Sequence, residues 1–231
     1  MLPALLYGLR MGYRRRRLAA ATPGGYRALL EIGCGDGGFL RYLGRTLPSS
    51  VKLVGIDLQA TNESQGRLRL IQGEVEKVSF AESFDVIVLF NVLEHLADPV
   101  ASLRRIVLNL SPGGMVCGEV PNWGSPWRRL FPRHWQGLQI PRHMTAFEKN
   151  TLEKTLQAAG LEVVAIRGVY DPGDLAVTVC NWITDSLRLR TPPRRAWFYL
   201  PTVLLSAPIV WLANLLTRTS GCIEFIARRS G

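Results

Sequence analysis

The sequence predicts an α/β fold in which a doubly wound, mostly parallel sheet carries helices on both faces. Between about residues 28 and 169, apolar runs of strand type alternate with helical patterns, and a glycine-rich turn joins the first run to a helix. The chain has 231 residues, 47% of them apolar, which is enough for one buried core. This apolar content also excludes a fully disordered chain.

The predicted strands are short apolar runs, as expected of strands that are buried on both faces. They span residues 28–32, 52–57, 68–72, 84–89, 115–119, 161–166 and 222–227. Helical patterns span residues 38–47, 99–110, 149–159 and 174–190. Only residues 59–66 separate the second and third strands, so we expect no long helix between them.

An apolar segment separates the last two predicted strands. Residues 197–216 contain no charged side chain, and 20 helical residues span about 30 Å, the thickness of the hydrocarbon core of a bilayer. We therefore predict three parts: a basic N-terminal arm or helix (1–27), a ligand-binding domain (28–170 plus 220–229) and an apolar helical insert (171–219).

The turn after the first strand carries four glycines in the segment EIGCGDGG, which begins at Glu31. A strand, a glycine turn and a helix N-terminus form a nucleotide-binding arrangement, because glycines let a ligand approach the free backbone N–H groups. The glycines fit both a GxGxxG dinucleotide pattern and an ExGxGxG pattern. An acid at Glu31 disfavours a pyrophosphate and suits the ammonium group of a methionine moiety.

From this loop onward the chain resembles the class I S-adenosylmethionine-dependent methyltransferases. The resemblance runs in order through VGID, GE, FDVI, NVLEHLADP and LSPGG over about 140 residues. It implies a seven-stranded Rossmann-like sheet and S-adenosylmethionine as cofactor. The cofactor-binding residues that it implies are Glu31, Gly33, Gly35 and Gly37 of the loop, Asp57 and Leu58 at the ribose, Glu74 and Val75 at the adenine, and Asn91 beside the transfer site.

The string NVLEHLADP, with PRHM and Phe147 further on, is similar to the branch that includes ubiquinone-biosynthesis and other small-molecule O-methyltransferases. His143 of PRHM is the leading candidate for a catalytic base, because imidazole has a suitable pKa. His134 comes second, and Glu94 with His95 third. The four cysteines are far apart and have no Cys/His spacing suited to zinc, so we predict a reducing compartment and no metal.

The formal net charge of +10 suggests a polyanionic partner, either an anionic membrane or nucleic acid. Six arginines and no acid lie in residues 1–30, and Arg194, Arg195 and Arg218 flank the apolar insert. A single crossing by the apolar segment would put the last two strands on opposite sides of the membrane. We therefore expect either a helical hairpin that enters the membrane and returns or helices that lie in the interface, with residues 174–187 as the partner of the apolar segment. We predict a monotopic, cytoplasm-facing enzyme on the inner face of the membrane. It would O-methylate a lipid-like or lipid-linked acceptor, such as a quinone precursor or a glycolipid.

Two alternatives remain at this point. Arginines and aromatic rings interleave in residues 123–147, where Trp123, Trp127, Phe131 and Trp135 could stack on bases, which would suit an RNA methyltransferase. The other alternative is a non-catalytic, S-adenosylmethionine-binding membrane scaffold. If residues 123–147 bind no nucleic acid, we expect them to form a lid packed on their own domain. If the insert at residues 171–219 contacts no membrane, we expect it to form a dimer interface or a buried cap.

Overall fold

The computed structural model describes residues 2–78, 80–192, 195, 197–217 and 220–229, and its centre is an eight-stranded sheet. The strands are β1 (Ala28–Ile32), β2 (Lys52–Asp57), β3 (Glu63–Gln65), β4 (Leu68–Gln72), β5 (Phe84–Phe90), β6 (Leu110–Pro121), β7 (Leu161–Gly168) and β8 (Cys222–Arg229). Their order is β3-β4-β2-β1-β5-β6-β8-β7. The five strands from β4 to β6 are parallel, while β3 and β8 run antiparallel to their neighbours. The predicted fold class is confirmed.

The helices are α1 (Leu2–Ala21), α2 (Gly38–Thr46), α3 (Pro99–Val107), α4 (Pro126–Leu130), α5 (Lys149–Ala158), α6 (Pro172–Ser186) and α7 (Tyr199–Thr217), with a 3-10 turn at Leu93–His95. Two of them begin with the same local chemistry. The Asp98 carboxylate accepts a hydrogen bond from the Ala101 amide, and Asp171 accepts one from the Gly173 amide. In each case a proline follows the cap, where its missing N–H costs nothing.

The structure differs from the predicted elements in three places. The helix predicted at residues 99–110 ends at Val107, because Leu110 begins β6 and lies opposite Phe84 of β5. The helix predicted at 174–190 is shifted toward the N-terminus, since the Asp171 cap sets its first turn. The sheet also has β3, an eighth strand in the short segment between the second and third predicted strands. Its three residues are polar and give no apolar signal.

Tight packing in the sheet is evident at Gly118 of β6. A Cβ atom there would clash with the Leu89 carbonyl oxygen on one side and with the Phe225 ring on the other. The carbonyl belongs to a paired strand and cannot move away, so overpacking costs about 1–3 kcal/mol. We expect Gly118→Ala to lower the free energy of unfolding by this amount in urea titrations, whereas Gly24→Ala, which has open space around it, should leave it unchanged.

Helix α1 is held to the sheet by ion pairs. Arg14 lies 2.6 Å from Glu119 of β6, and Arg17 pairs with Glu224 of β8. Arg10 lies 3.2 Å from Asp171 at the start of α6. These arginines neutralise acids inside the fold, so the expectation that the N-terminal arginines form a membrane-facing charge is corrected for these three.

The loop at residues 122–147 packs on the insert. Trp127 and Trp135 of the loop are buried in one cluster with Leu175 of α6 and Val210 of α7. Trp123 packs against the same cluster, with its ring centroid 6.1 Å from that of Trp135, and the Arg128 guanidinium lies 4.3 Å from a ring centroid of Trp123. The two buried rings are therefore not available to stack on bases, which corrects the reason given for an RNA acceptor.

Helix α7 has one buried edge and one exposed apolar face. Val203, Ser206 and Val210 face α6, with which α7 packs. The opposite face exposes large apolar side chains, namely Leu204, Leu205, Ile209, Trp211, Leu212, Leu215 and Leu216. Among the described residues, α7 is the one helix long and apolar enough to cross a membrane by length and composition, and 17% of its apolar window is buried. Arg194 and Arg218, predicted to flank it, lie outside the described residues.

Strands β7 and β8 pair with each other although α6 and α7 lie between them in the chain. The chain therefore leaves the sheet after β7, forms the two packed helices and returns to the sheet. The insert is thus a pair of packed helices whose two ends return to the same sheet, a path that fits the helical hairpin, which is one of the two arrangements expected from the sequence.

Candidate active site

The glycine loop lies at the carboxyl ends of the parallel strands, where open α/β sheets bind their ligands. The amides of Gly33 and Cys34 donate to the Ile56 carbonyl at 2.8 and 3.2 Å, which ties the end of β1 to β2. Gly33 has a φ of 72°, and a Cβ there would clash with Val92. Around Gly35, with a φ of 55°, there is open space. Gly35 therefore leaves open space for a ligand, whereas the amides of Gly33 and Cys34 are already used, which corrects the expectation of free N–H groups at these two positions.

Asp57, the last residue of β2, faces this loop. One carboxylate oxygen accepts a hydrogen bond from the Gly35 amide at 2.9 Å, and the other accepts one from the Gln59 amide at 2.8 Å. An ionised carboxylate has about four acceptor positions, so each oxygen keeps one free. Asp57 is thus positioned both to order the loop and to accept two further hydrogen bonds.

Glu31 lies under the loop and is 4% exposed. Its Oε2 atom has no hydrogen-bond partner among the described residues. Burial, with smaller contributions from Asp57 and Asp36, raises the pKa of Glu31 to about 8 against the lowering effect of Arg14. An unpaired buried carboxyl of this kind is costly unless a cationic ligand group reaches it.

The predicted adenine and ribose neighbours have different environments. Leu58 is 63% exposed beside Asp57 and offers an apolar surface. Glu74 points to solvent, where its carboxylate lies 2.8 Å from Lys77. The Val75 side chain is buried in the core, so only its backbone is open to a ligand. Thus Leu58 and Asp57 share one side of the site, whereas the Glu74 carboxylate is paired outside it.

A cavity of about 360 Å³ lies next to the glycine loop. Asn91 lines this cavity and has a φ of 57°, which asparagine tolerates better than most residues. The backbone N–H of Asn91 donates to the backbone carbonyl of Glu119 at 2.8 Å. Because Asn91 follows β5, which pairs with β1, it lies between the loop and the cavity. The other polar lining groups come from α1, the 3-10 turn, the loop at residues 122–147 and the start of α6. They are Tyr7, Arg10, Arg14, Glu94, His95, Gln136, Gln139, His143, Asp171 and Asp174.

His143 reaches this cavity from the loop after α4. Its Nδ1 lies 2.8 Å from the Gly137 carbonyl, so Nδ1 carries the proton and Nε2 keeps a free lone pair. Burial lowers the pKa of His143 below its ordinary 6.5, and His95 and Arg142 lower it further. The imidazole is therefore neutral at pH 7. His134, the second candidate, lies instead beside Asp185 of α6 at 3.0 Å.

Several lining residues were not predicted by the sequence, among them Tyr7, Arg10 and Asp174. Tyr7 and Arg10 belong to α1, where their spacing reads only as a basic helix. Asp174 is fully surrounded in the first turn of α6, and burial raises its pKa to about 7. None of these three residues belongs to a local motif. The packing of α1 and α6 on the sheet brings them to the cavity.

The glycine loop, Asp57 and the neighbouring cavity lie together at the carboxyl ends of the parallel strands. This arrangement is typical of α/β enzymes that bind a nucleotide-type cofactor beside a cavity for a second substrate. Comparison with known proteins identifies the class: residues 9–166 match the methyltransferase domain family, and the chain belongs to that family. It is an S-adenosylmethionine-dependent methyltransferase, as the sequence resemblance implies, which removes the non-catalytic scaffold alternative.

Two curated relatives illustrate the similarity. The chain is 27% identical over 226 residues to a ubiquinone biosynthesis O-methyltransferase from Dinoroseobacter shibae, covering 80% of this chain and 86% of the relative. It is 30% identical over 169 residues to a protein from Mycolicibacterium smegmatis whose name gives it as an S-adenosylmethionine-dependent methyltransferase, covering 70% of this chain. The match spans 61% of the length of that mycobacterial relative.

Two solved structures share the fold. N-methyltransferase NodS from Bradyrhizobium japonicum, in complex with S-adenosylhomocysteine, matches with a TM-score of 0.54 and 15% identity over 95% of this chain and 87% of its own. Phosphoethanolamine N-methyltransferase 2 from Haemonchus contortus, in complex with S-adenosylmethionine, has a TM-score of 0.57 and 16% identity over 94% of this chain and 53% of its own. At these identities the likeness concerns the fold alone.

Proposed function

We propose that this protein O-methylates a lipid-like or lipid-linked small molecule at a membrane surface. The observation that carries the proposal is the position of His143, which lines the cavity and has its Nδ1 hydrogen-bonded to the Gly137 carbonyl, so that Nε2 keeps its lone pair. The relatives named as O-methyltransferases of ubiquinone biosynthesis support an oxygen acceptor, such as the hydroxyl of a quinone precursor.

The cofactor residues are assigned from the site as follows. Glu31 receives the ammonium group of the methionine part, and Asp57 accepts hydrogen bonds from the two ribose hydroxyls. Gly35 leaves open space for the cofactor, Gly33 and Gly37 shape the loop by letting Val92 and Leu70 pack against it, and Asn91 borders the methyl group. Leu58 covers one face of the adenine, while the backbone of Val75, with Glu74 after release from Lys77, contacts its edge.

The proposed reaction is an in-line displacement at the methyl carbon. The acceptor oxygen forms the new C–O bond as the C–S bond breaks, and the sulfonium becomes the neutral thioether of S-adenosylhomocysteine. The hydroxyl proton passes to Nε2 of His143 and then to water. Alignment of the two substrates supplies most of the rate, and the base adds about 10²–10⁴-fold.

A pH profile of methyl transfer tests this assignment. Because the neutral imidazole is the active form, kcat/KM for a phenolic quinone precursor should fall as the pH drops through a pKa below 6.5. His143→Asn keeps a donor for the Gly137 carbonyl but removes Nε2, so this variant should lose about 100-fold or more in kcat and also lose the acidic limb. An unchanged profile in the variant would remove His143 from the chemistry, and no turnover of any lipid-like hydroxyl compound would contradict the proposed function.

Cofactor binding should release a proton at pH 7. With a pKa of about 8, the Glu31 carboxyl of the free protein is mostly protonated at that pH, and contact with an ammonium group favours the ionised form. Calorimetry in buffers of different ionisation enthalpy should therefore report release of up to about one proton per cofactor. Glu31→Gln is the matched control and should release none; buffer-independent heats in the parent would disprove the assignment.

Membrane attachment is proposed through the exposed face of α7. Monomeric soluble proteins rarely expose a continuous apolar patch of more than a few hundred Å². Here seven large apolar side chains of α7 are exposed together, and Trp211 among them suits the headgroup region. The helical hairpin would lie in one interface, so we propose a monotopic enzyme on the inner, cytoplasmic face of the membrane.

A further inference from the structure

Three potential ligand side chains meet at the acceptor cavity, two of them neighbours in the NVLEHLADP string and the third from a distant segment. Glu94 and His95 belong to the 3-10 turn after β5, and His143 belongs to the loop after α4. One ligand atom from each of the three lies within 4.8 Å of the others. The rings of His95 and His143 are in contact, with centroids 4.7 Å apart.

Both imidazoles are oriented by backbone carbonyls. Nδ1 of His95 lies 2.8 Å from the Arg142 carbonyl, and Nδ1 of His143 lies 2.8 Å from the Gly137 carbonyl. Each Nδ1 therefore donates its proton, and each Nε2 keeps its lone pair. Metal-binding histidines are usually held in this way, with the second ring nitrogen hydrogen-bonded to a carbonyl or carboxylate.

Glu94 supplies the independent observation. Its side chain is 1% exposed and lines the cavity, and neither carboxylate oxygen has a hydrogen-bond partner among the described residues. Its carbonyl accepts hydrogen bonds from the amides of Met144 and Thr145, at 2.8 and 3.2 Å, so the loop that carries His143 is fastened to the turn that carries Glu94. A buried carboxyl without a donor is costly, and a bound cation would remove that cost.

We propose that Glu94, His95 and His143 bind one divalent transition-metal ion at the floor of the acceptor cavity. Two imidazoles and one carboxylate form a ligand set that suits Zn²⁺, Fe²⁺, Co²⁺ or Mn²⁺ better than Mg²⁺ or Ca²⁺. Metal–ligand distances of about 2.0–2.2 Å require the three ligand atoms to draw together to about 3 Å from one another.

The remaining coordination positions of the ion would face the cavity. An acceptor oxygen bound there would have its hydroxyl pKa lowered by the ion, and His143 would then act as a ligand instead of as the base. This consequence for catalysis rests on the proposed function, whereas binding of the ion does not. The sequence predicts no metal because its cysteines and histidines have no zinc-binding spacing. Glu94 and His95 are neighbours, but His143 lies almost 50 residues further along the chain and meets them only through the loop.

Cobalt is the probe for the site, because Co²⁺ bound by nitrogen and oxygen ligands has visible d–d bands. The full-length chain, dialysed against a chelator, is titrated with CoCl₂ and then with ZnCl₂. We expect one Co²⁺ per chain, loss of the bands on addition of Zn²⁺, and a rise in Tm with Zn²⁺ by mass action. All four cysteines are buried, so the intense sulfur-to-cobalt bands should be absent.

The variants decide whether the ion lies at these residues. His143→Asn keeps a donor for the Gly137 carbonyl and Glu94→Gln keeps the size of the side chain, but each change removes one charged or imidazole ligand. We expect each to lower the Co²⁺ affinity by about 100-fold or more, beyond the 10–100-fold typical of outer-shell changes. His134→Asn removes the third histidine of the chain, which lies beside Asp185, and should leave the affinity unchanged.

Two outcomes would overturn the metal site: a parent chain without d–d bands at millimolar Co²⁺, and equal affinity in the parent and His143→Asn. Binding of S-adenosylmethionine, measured by calorimetry on the same samples, verifies that each variant is folded. It also separates the two proposals, because a parent chain that binds S-adenosylmethionine but no Co²⁺ would overturn the metal site and leave the proposed function standing.

Discussion

Replacement of Asp57 by alanine is expected to lower the affinity for S-adenosylmethionine by about 100-fold or more. The complex would lose the two hydrogen bonds that the Asp57 carboxylate accepts from the ribose. Each is worth about 1.5–3 kcal/mol for a charged acceptor, and 1.4 kcal/mol corresponds to a factor of ten. The Gly35 and Gln59 amides would also lose their acceptor, and these two hydrogen bonds order the glycine loop. Calorimetric titration of the cofactor measures the effect directly.

Asp85 provides a matched control for this variant. Its carboxylate also accepts two backbone hydrogen bonds, from the amides of Arg27 and Ala28 at 2.7 and 3.1 Å, but it lies at the start of β5, on the opposite edge of the sheet. Asp85→Ala should therefore cost some stability and leave the cofactor affinity of the folded protein unchanged. If Asp57→Ala bound the cofactor as tightly as Asp85→Ala, the ribose assignment would be wrong.

Removal of two leucines from the exposed face of α7 is expected to abolish most binding to vesicles. Leu205 and Leu212 lie two turns apart on that face and are 71% and 49% exposed. Burial of each leucine in lipid is worth about 1.5–3 kcal/mol, so the double variant Leu205→Ser/Leu212→Ser should lose about 10²–10⁴-fold in partitioning. Flotation with vesicles of phosphatidylglycerol and phosphatidylcholine measures the bound fraction.

The control is a pair of equally exposed apolar residues elsewhere on the molecule. Leu108 follows α3 and Val164 lies on the edge strand β7, and they are 73% and 53% exposed. Leu108→Ser/Val164→Ser should float with the vesicles as the parent does. A parent chain that stays in the soluble fraction would refute membrane attachment through α7, and α7 would then need a protein partner to cover it.

Much of the sheet could be predicted because parallel strands buried on both faces are continuous apolar runs. Strands β1, β2 and β4 begin and end at the predicted residues. Strand β3 could not be predicted, since its residues are polar and its strand form depends on pairing with β4. The start of β6 at Leu110 was likewise missed, because the pairing with Phe84 of β5 overrides a helical pattern that continues from α3.

The two halves of the site differ in how far the sequence reveals them. The glycine loop and Asp57 are local motifs at strand ends, so their positions follow from the order of the strands. The acceptor cavity depends on contacts between distant segments, for example the Glu94 carbonyl with the Met144 amide. Glu94, His95 and His143 are each named by the sequence as candidate bases, but nothing in it indicates that they meet.

Helix α1 has a consequence for the order of events in turnover. Tyr7 packs on Gly38 at the start of α2, beside the cofactor loop, and also lines the acceptor cavity together with Arg10. One helix, held through Arg10 to Asp171 and through Arg14 to Glu119, thus borders both the glycine loop and the cavity. If the cofactor and the acceptor bind in these two places, as proposed above, displacement of α1 would open both at once. We then expect departure of S-adenosylhomocysteine to be coupled to replacement of the methylated acceptor, so that steady-state kinetics does not resolve two independent exchange rates.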